Sequence, residues 1–338
     1  MSGIDACRTT FDVAVVGGGP AGCAAAIWAA RCGLRVALIE ARRFPRTRPG
    51  ETLHPGVESL FCQLEVEQEV TAAGFLRHAG QWVARGADRR FEEFGRDERG
   101  SWRGYQAPGA DLDLILLRKA AAAGVIVLQP CRAMTPILIN SRVAGVRCPE
   151  LDVIARFTID ASGRRHWLQT RTGVPMIRNS PRLVATYGYH RGECGDGGDG
   201  PVFTGSEGGW TWVARLAPSY YGWTSLHFHP AAPSVPEVLR DLPPAGRIRG
   251  ADVTWRIVSA CAGPGYFIVG DAGSVMDPAS AHGVLKALMS GILAADLAAR
   301  VIEEKTAEST ATFAFDQWTR QWHDSDRKRL ASLYGQPW

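Results

Sequence analysis

The sequence predicts an α/β protein in which a parallel sheet is interleaved with an antiparallel sheet and followed by C-terminal helices. Three observations carry this expectation. Residues 11–40 alternate an apolar run (FDVAVV), a small-residue helical stretch (PAGCAAAIWAARCG) and a second apolar run (RVALIE), which is one βαβ unit. Small-residue strand and helix patterns return at 111–130 and again at 265–291, far along the chain. Between these returns, 183–229 reads as strands rich in Tyr, Trp and Phe, the composition of an antiparallel sheet with a large apolar face.

Taken in order, the βαβ unit is followed by an arginine-rich loop, ARRFPRTRPGETLHP, and then by a helical stretch from about Gly56 to Ala73. Short aromatic and charged segments with glycine breaks occupy 80–107. The spacing of DLDLILLRKAAAAGV predicts a helix over 111–125 that stops at Gly124, with VIVLQ as a buried strand after it. Strands are expected at 132–139, 142–148 and 153–160, closing on Asp160-Ala161-Ser162-Gly163. The aromatic strands are interrupted by the loop GECGDGGDG, and a proline-rich connection at 230–244 holds one short helix, PEVLRD. An amphipathic, charged helix is expected over 306–330.

Composition narrows the function classes. With 338 residues, 46% of them hydrophobic, the chain can bury a large core as one big or two joined domains. A net charge of +4, its basic excess carried almost wholly by arginine, gives no reason to expect nucleic acid as a partner. The first residues lack a basic segment followed by a long apolar run, so a cytoplasmic location is expected. The longest apolar window, 283–302, is broken by Lys286, Asp296 and Arg300, which argues against a membrane span. The eight cysteines stand singly with no CxxC pair and no ligand spacing, so they read as buried reduced thiols, with neither a zinc site nor a disulfide framework.

The chemistry starts at Gly17, Gly19 and Gly22, a G-x-G-x-x-G directly after a strand and at the mouth of a helix. The first glycine makes the tight turn, the second admits a pyrophosphate to the backbone, and the third lets helix and sheet approach, so the unit is Rossmann-like. Glu40 ends the next strand, 18 residues after Gly22, where a carboxylate accepts both ribose hydroxyls and repels a 2′-phosphate. The site therefore suits FAD or NAD. FAD is favoured by the distant segment GPGYFIVGDAGSVMDPASAHGVLKALMSG (263–291), in which a strand delivers Gly270-Asp271, a carboxylate suited to ribityl hydroxyls. Pro278 to Gly283 then turns into a helix. Its start, at Gly283 and Val284, can stabilise negative charge on a reduced isoalloxazine, and Gly283, Ala287 and Gly291 leave one bare face for a flat ring or a strand.

Three blocks, VVGGGPAGCAAA with Glu40, the Asp160-Ala161-Ser162-Gly163 segment and GDAGSVMDPASAHG, resemble the FAD-dependent monooxygenase superfamily. That superfamily includes aromatic hydroxylases, flavin-dependent tryptophan halogenases and geranylgeranyl-reductase-like enzymes. The resemblance implies a glutathione-reductase-type FAD domain made of 1–80, 108–165 and 250–303, a β-sheet substrate domain made of 81–107 and 166–249, and a helical segment at 304–338. It also implies a basic residue and a G-E motif near the flavin, here Arg48 and Gly50-Glu51-Thr52-Leu53-His54-Pro55. Arg42, Arg43 and Arg46 read as a solvated surface. His54 and His282 are the candidate catalytic residues, His54 being alternatively a helix-entry residue, and Glu51 is the other titratable group expected near the flavin.

For the reaction, Trp210-Thr211-Trp212 resembles the W-x-W-x-I-P motif of the halogenases, but Ala214 and Arg215 stand in place of Ile and Pro. The halogenase lysine that follows the G-E segment has no counterpart, since no lysine lies between Glu51 and Arg118, and Lys286 is too far downstream. Oxygenation of an aromatic group through a flavin C4a-hydroperoxide is therefore expected ahead of halogenation. The segments ETLHPGVESLFCQL and SAHGVLKALMSG more loosely resemble flavoproteins that mature quinone-cofactor (cysteine tryptophylquinone) oxidases by oxygenating a tryptophan of the target protein. The substrate would then be a small aromatic molecule or a protein-bound aromatic group, with NAD(P)H or a flavin reductase as electron donor. A maturation protein with mainly structural FAD and an alkene-saturating reductase are the competing classes.

Overall fold

The computed structural model describes residues 7–46, 48–86, 88–194, 200–229, 232, 234–335 and 338. Seven helices lie among them: α1 (Pro20–Arg31), α2 (Val57–Gln63), α3 (Glu67–Ala72), α4 (Gly109–Ala122), α5 (Trp167–Thr172), α6 (Gly283–Ile302) and α7 (Glu308–Tyr334). The α/β expectation holds, with two large sheets facing one cavity.

The first sheet has eight strands. Its parallel centre aligns Val13–Val16 with Val36–Ile39 on one side and with Phe157–Asp160 on the other, and Ile126–Leu128 adds beyond Ala37–Ile39. The central strands are near-continuous apolar runs because they are buried on both faces, Val13–Val15 and Ala37–Leu38 being wholly inaccessible. Strand Leu151–Asp160 changes partner along its outer edge. Its first half pairs with Arg142–Arg147 and its last residues with Tyr266–Ile268, so the segment expected to bind ribityl is brought beside Asp160. All the parallel strands end at the same edge, where ligands of open α/β sheets bind.

The bare face of α6 receives a helix and a turn, not a strand. A Cβ on Gly291 would lie 2.2 Å from the Ala21 carbonyl oxygen, so α1 packs directly against it, and Ala287 meets the Gly270 turn. The expected single helix at 56–73 is two helices, α2 and α3. Leu64 and Val66 are both fully buried, and the chain bends through Glu65, at φ 54°, to bury them. The C-terminal helix extends to Tyr334.

The second sheet has seven strands in the order 249–252, 184–191, 220–227, 209–217, 202–206, 80–85 and 88–93. Sequence reading places 80–107 among loops and short strands. Two of the short strands, Gly80–Arg85 and Asp88–Glu93, form a hairpin that joins the aromatic sheet by a parallel pairing to Val202–Ser206. Strand Arg249–Asp252 also belongs to this sheet, against Val184–Tyr187, so the sheet runs past the expected boundary at 250. Part of the expected loop at 192–200 and part of the proline-rich connection lie outside the described residues; Glu237–Leu239 forms a short 3-10 turn. Cys23, Cys148 and Cys261 are free and buried as expected, but Cys32, Cys131 and Cys194 are free and only half-buried and Cys62 is free and exposed, since they stand at the edges of the elements; Cys7 lies outside the described side chains. Among the described residues no group of His, Cys, Asp and Glu could hold a metal, and no helix is long and apolar enough to cross a membrane.

Candidate active site

The glycine fingerprint is held by sterics. Gly17 adopts φ 107°, and a Cβ there would lie 2.4 Å from the Ala161 carbonyl oxygen; a Cβ on Gly22 would lie 1.9 Å from the Gly17 carbonyl oxygen. No L side chain fits either position. The Asp160-Ala161-Ser162-Gly163 segment is thus the back wall of the turn. Asp160 is fully buried and accepts hydrogen bonds from Ser162 N at 2.9 Å and Leu168 N at 2.7 Å, which fixes the chain reversal into α5. Helix α1 begins with Gly19 as N-cap and Pro20 at its first position, with no acidic residue in its first turn and no side chain capping it. Its positive pole opens into the cavity through Gly19, Pro20 and Ala21.

Glu40 is 4% exposed, at the end of its strand. One carboxylate oxygen accepts from Gly18 N at 2.8 Å and pairs with Arg46 Nη1 at 3.1 Å, and the other accepts from Arg42 N at 2.8 Å. Arg46 is not a solvated surface residue. It bridges Glu40 and Asp113 and lies against Gly19, because two buried carboxylates require a counter-charge. Arg48 joins the same group, its Nε 3.2 Å from Asp113 Oδ2. Asp113, on α4, is the residue that the sequence reading missed; a lone acid on the apolar side of a helix was the available signal.

The loop after Arg48 crosses the second sheet. Gly50 donates its N–H to Tyr189 Oη at 3.0 Å, and a Cβ on Gly50 would meet Leu216 at 2.5 Å. This contact turns Glu51 onto the cavity wall. Burial pushes the Glu51 carboxyl up to about 7, against the opposing pull of Arg48. Opposite, Asp271 lies on the 3-10 turn Gly270–Ala272, exposed to the cavity and 3.5 Å from Arg164 Nε. Gly283 and Val284 open α6 on the same wall.

The two candidate histidines go elsewhere. His54 accepts from Gly56 N at 3.0 Å and packs on Phe94, the geometry of a helix-entry residue, and burial with His282 nearby holds its imidazole below the usual value. His282 donates to Asp326 of α7 at 2.9 Å and meets Trp322 edge-on. Neither is among the residues lining the cavity. His282 belongs to a clamp that α7 places on the turn at 277–286. Lys286 Nζ lies 2.8 Å from Asp326, Arg329 donates to the Ser280 carbonyl, and Tyr334 Oη donates to Asp277 at 2.8 Å. Asp277 is fully buried and also accepts from Trp255 Nε1 and Ala279 N, each at 2.9 Å; burial pushes its carboxyl up to about 6.

These parts face one cavity of about 1360 Å³. It runs from Gly17, Gly19 and Glu40, past Glu51, Asp271 and Gly283, to an aromatic wall of Tyr187, Phe203, Trp210 and Trp212 on the second sheet. Trp210 and Trp212 both lie in a core cluster of that sheet and on the cavity wall. The tight glycine cradle, the free helix pole and the two separated carboxylates fit an adenine dinucleotide whose second half reaches the aromatic wall.

Comparison with known proteins agrees. Residues 12–175 match the family described as FAD dependent oxidoreductase. The chain is 29% identical over 340 residues to tryptophan 2-halogenase of Chondromyces crocatus, covering 90% of this chain and 64% of that protein. It is 26% identical over 346 residues to 1H-pyrrole-2-carbonyl-(peptidyl-carrier protein) brominase of Pseudoalteromonas luteoviolacea (92% and 82%). It is 25% identical over 339 residues to digeranylgeranylglycerophospholipid reductase of Methanoculleus marisnigri (92% and 82%). The structure of the myxobacterial chondrochloren halogenase CndH superposes with a TM-score of 0.88 at 24% identity, over 96% of this chain and 82% of that one. Residues 12–175 thus match the FAD-dependent oxidoreductase family, and along about nine-tenths of its length the chain is similar to flavin-dependent halogenases, a brominase and a reductase.

Proposed function

We propose that the chain oxidises an electron-rich aromatic group with oxygen activated at its flavin, with halogen transfer as the first reading. The observation that carries the proposal is the single cavity that joins the glycine cradle to the aromatic wall. Sequence alone puts oxygen insertion ahead. The relatives favour the reverse order, since halogenases and a brominase stand among them and likeness to these runs along about nine-tenths of this chain. None of them points to quinone-cofactor maturation.

FAD, when bound and reduced, supplies the electrons that activate O₂. The residues of this chain hold and shield it. The amide pole at Gly19 to Ala21 would receive the pyrophosphate, Glu40 the ribose hydroxyls and Asp271 the ribityl hydroxyls, and the start of α6 at Gly283 and Val284 would offset negative charge on the reduced ring. Arg48 keeps Glu51 within a charged group, and the Glu51 carboxyl holds a proton near neutral pH beside the reacting end of the cavity. The walls of Tyr187, Phe203 and Trp212 exclude water and stack an aromatic ring.

Oxygen insertion is the second reading, and Lys286 favours it. Lys286 is the one lysine among the described residues lining the cavity, and its ammonium is held by buried Asp326, so no free amine is available to capture a hypohalous acid. The test is to reduce the holoprotein without air and mix it with oxygen, bromide and either tryptophan or pyrrole-2-carboxylate. A brominated product is expected. A product carrying only oxygen establishes the second reading, and peroxide release with every aromatic unchanged overturns both.

A further inference from the structure

Resting on the reading that the cavity oxidises an aromatic group, we propose that its substrate carries an anionic oxygen group bound by Arg85. The ring then lies on Phe203 and Trp212. The register of the second sheet makes this arrangement. Val83, Phe203, Trp212, Thr224, Tyr187 and Arg249 are successive cross-strand partners, so they form one row on one face. Phe203, Trp212 and Tyr187 are half-buried in this row, leaving aromatic surface open to the cavity.

The adjacent row aligns Arg85, Gly205 and Trp210. A Cβ on Gly205 would lie 3.5 Å from Phe203 Cε1 and 3.9 Å from Arg85 Nε. With no side chain between them, the guanidinium stem lies beside the Phe203 ring. Arg85 is exposed; Asp88 stands opposite it across the hairpin, but among the described residues no carboxylate is within ion-pair distance of it, and its partner is the Leu333 carbonyl, at 3.4 Å. Of the other cavity arginines, Arg46 and Arg48 pair with Asp113, Arg90 with Glu92, Arg164 with Asp271 and Arg329 with Asp326, while Arg42, Arg132, Arg165 and Arg171, which have no carboxylate partner among the described residues, stand outside the second sheet.

Arg249 also lacks a carboxylate partner, but it stands three strands from Trp212, roughly 14 Å at the usual strand spacing. Arg85 is therefore the guanidinium placed to grip a group attached to a ring on Phe203 and Trp212. A planar fork of donors beside an aromatic surface matches a carboxylate or a phosphate, bound in bidentate fashion.

The test reads binding, not turnover, so its outcome is independent of which atom is transferred. Oxidised holoprotein is titrated with 1-naphthoate, 1-naphthamide and 1-naphthyl phosphate, following the flavin absorbance. The wild type is expected to bind naphthoate or naphthyl phosphate about tenfold or more tightly than the amide. The tighter of the two anions identifies a carboxylic or a phosphorylated substrate. Arg85→Gln should bring the preference to within about twofold, Arg85→Lys should restore part of it, and Arg249→Gln should leave it unchanged. Equal binding in the wild type, a preference that survives Arg85→Gln or is lost in Arg249→Gln, or failure of all three probes to bind overturns the proposal. Retained flavin in each variant establishes that the fold is intact. If the anion preference holds and no aromatic is oxidised, the reaction reading fails while this one stands.

Discussion

The glycine cradle and the aromatic sheet face line one cavity and are built on opposite rules. Around Gly17, Gly22 and Ala161 there is no free space, and backbone oxygens stand where a Cβ would go. On the sheet, Phe203, Trp212 and Tyr187 are half-buried, Arg85 and Arg249 are exposed, and side chains can change without disturbing the ladder that carries them. The cradle therefore admits one shape of ligand, whereas the sheet face selects among many. This is the physical reason that the molecule declares its cofactor more plainly than its substrate.

The largest effect should come from breaking the cradle. Gly22→Ala forces a methyl group into the Gly17 carbonyl, and the purified protein is expected to lack flavin absorbance and to lose about 3 kcal/mol of stability. Gly18→Ala is the control, since its Cβ would meet only Glu40 side-chain atoms at 3.4 Å, and it should keep its FAD. A yellow, stable Gly22→Ala protein would show that the cradle tolerates more than the geometry allows.

Between the two regions stands Glu51, whose carboxyl burial has pushed up to about 7. It is neutral below that pH and charged above it, so the wild-type rate should show an inflection there. Glu51→Gln should remove the inflection and slow oxidation by about tenfold to a hundredfold. An unaltered pH profile would remove Glu51 from the chemistry.

Asp277 tests how firmly α7 holds the flavin turn. Its folded pKa of about 6 lies above the ordinary 3.8, so its contribution to stability is complete below the ordinary value and is lost as pH rises through the folded one. Unfolding free energies of wild type and Asp277→Asn, compared across that window, should diverge by about 3 kcal/mol, with the variant the less dependent on pH. Parallel curves would mean that the carboxyl is already charged in the fold. The smallest effect belongs to His54→Asn, since an asparagine oxygen can still accept from Gly56 N; oxidation should change by less than about threefold. A larger loss would return His54 to the catalytic site.

What could be read in advance was local. Strand, glycine turn and helix at 11–40, Glu40 at the strand end and Asp271 after its strand each depend on a few neighbouring residues, and the structure places all of them on the cavity. The errors have long-range causes. Arg46 was recruited by Asp113, a residue of a distant helix, and His282 was drawn to Asp326 of α7. The helix expected over 56–73 broke because Leu64 and Val66 found a core that local propensity does not see.

The sequence by itself marked Gly17, Gly19, Gly22 and Glu40 as the place for an adenine dinucleotide, because backbone sterics in a tight turn permit few residue types. Only the tertiary structure decided what meets that dinucleotide. The parallel pairing of 80–85 with 202–206 puts Arg85 next to Phe203, and Asp326 of α7 engages both His282 and Lys286. Strand register and helix docking are set by the burial of whole faces, which no short motif encodes.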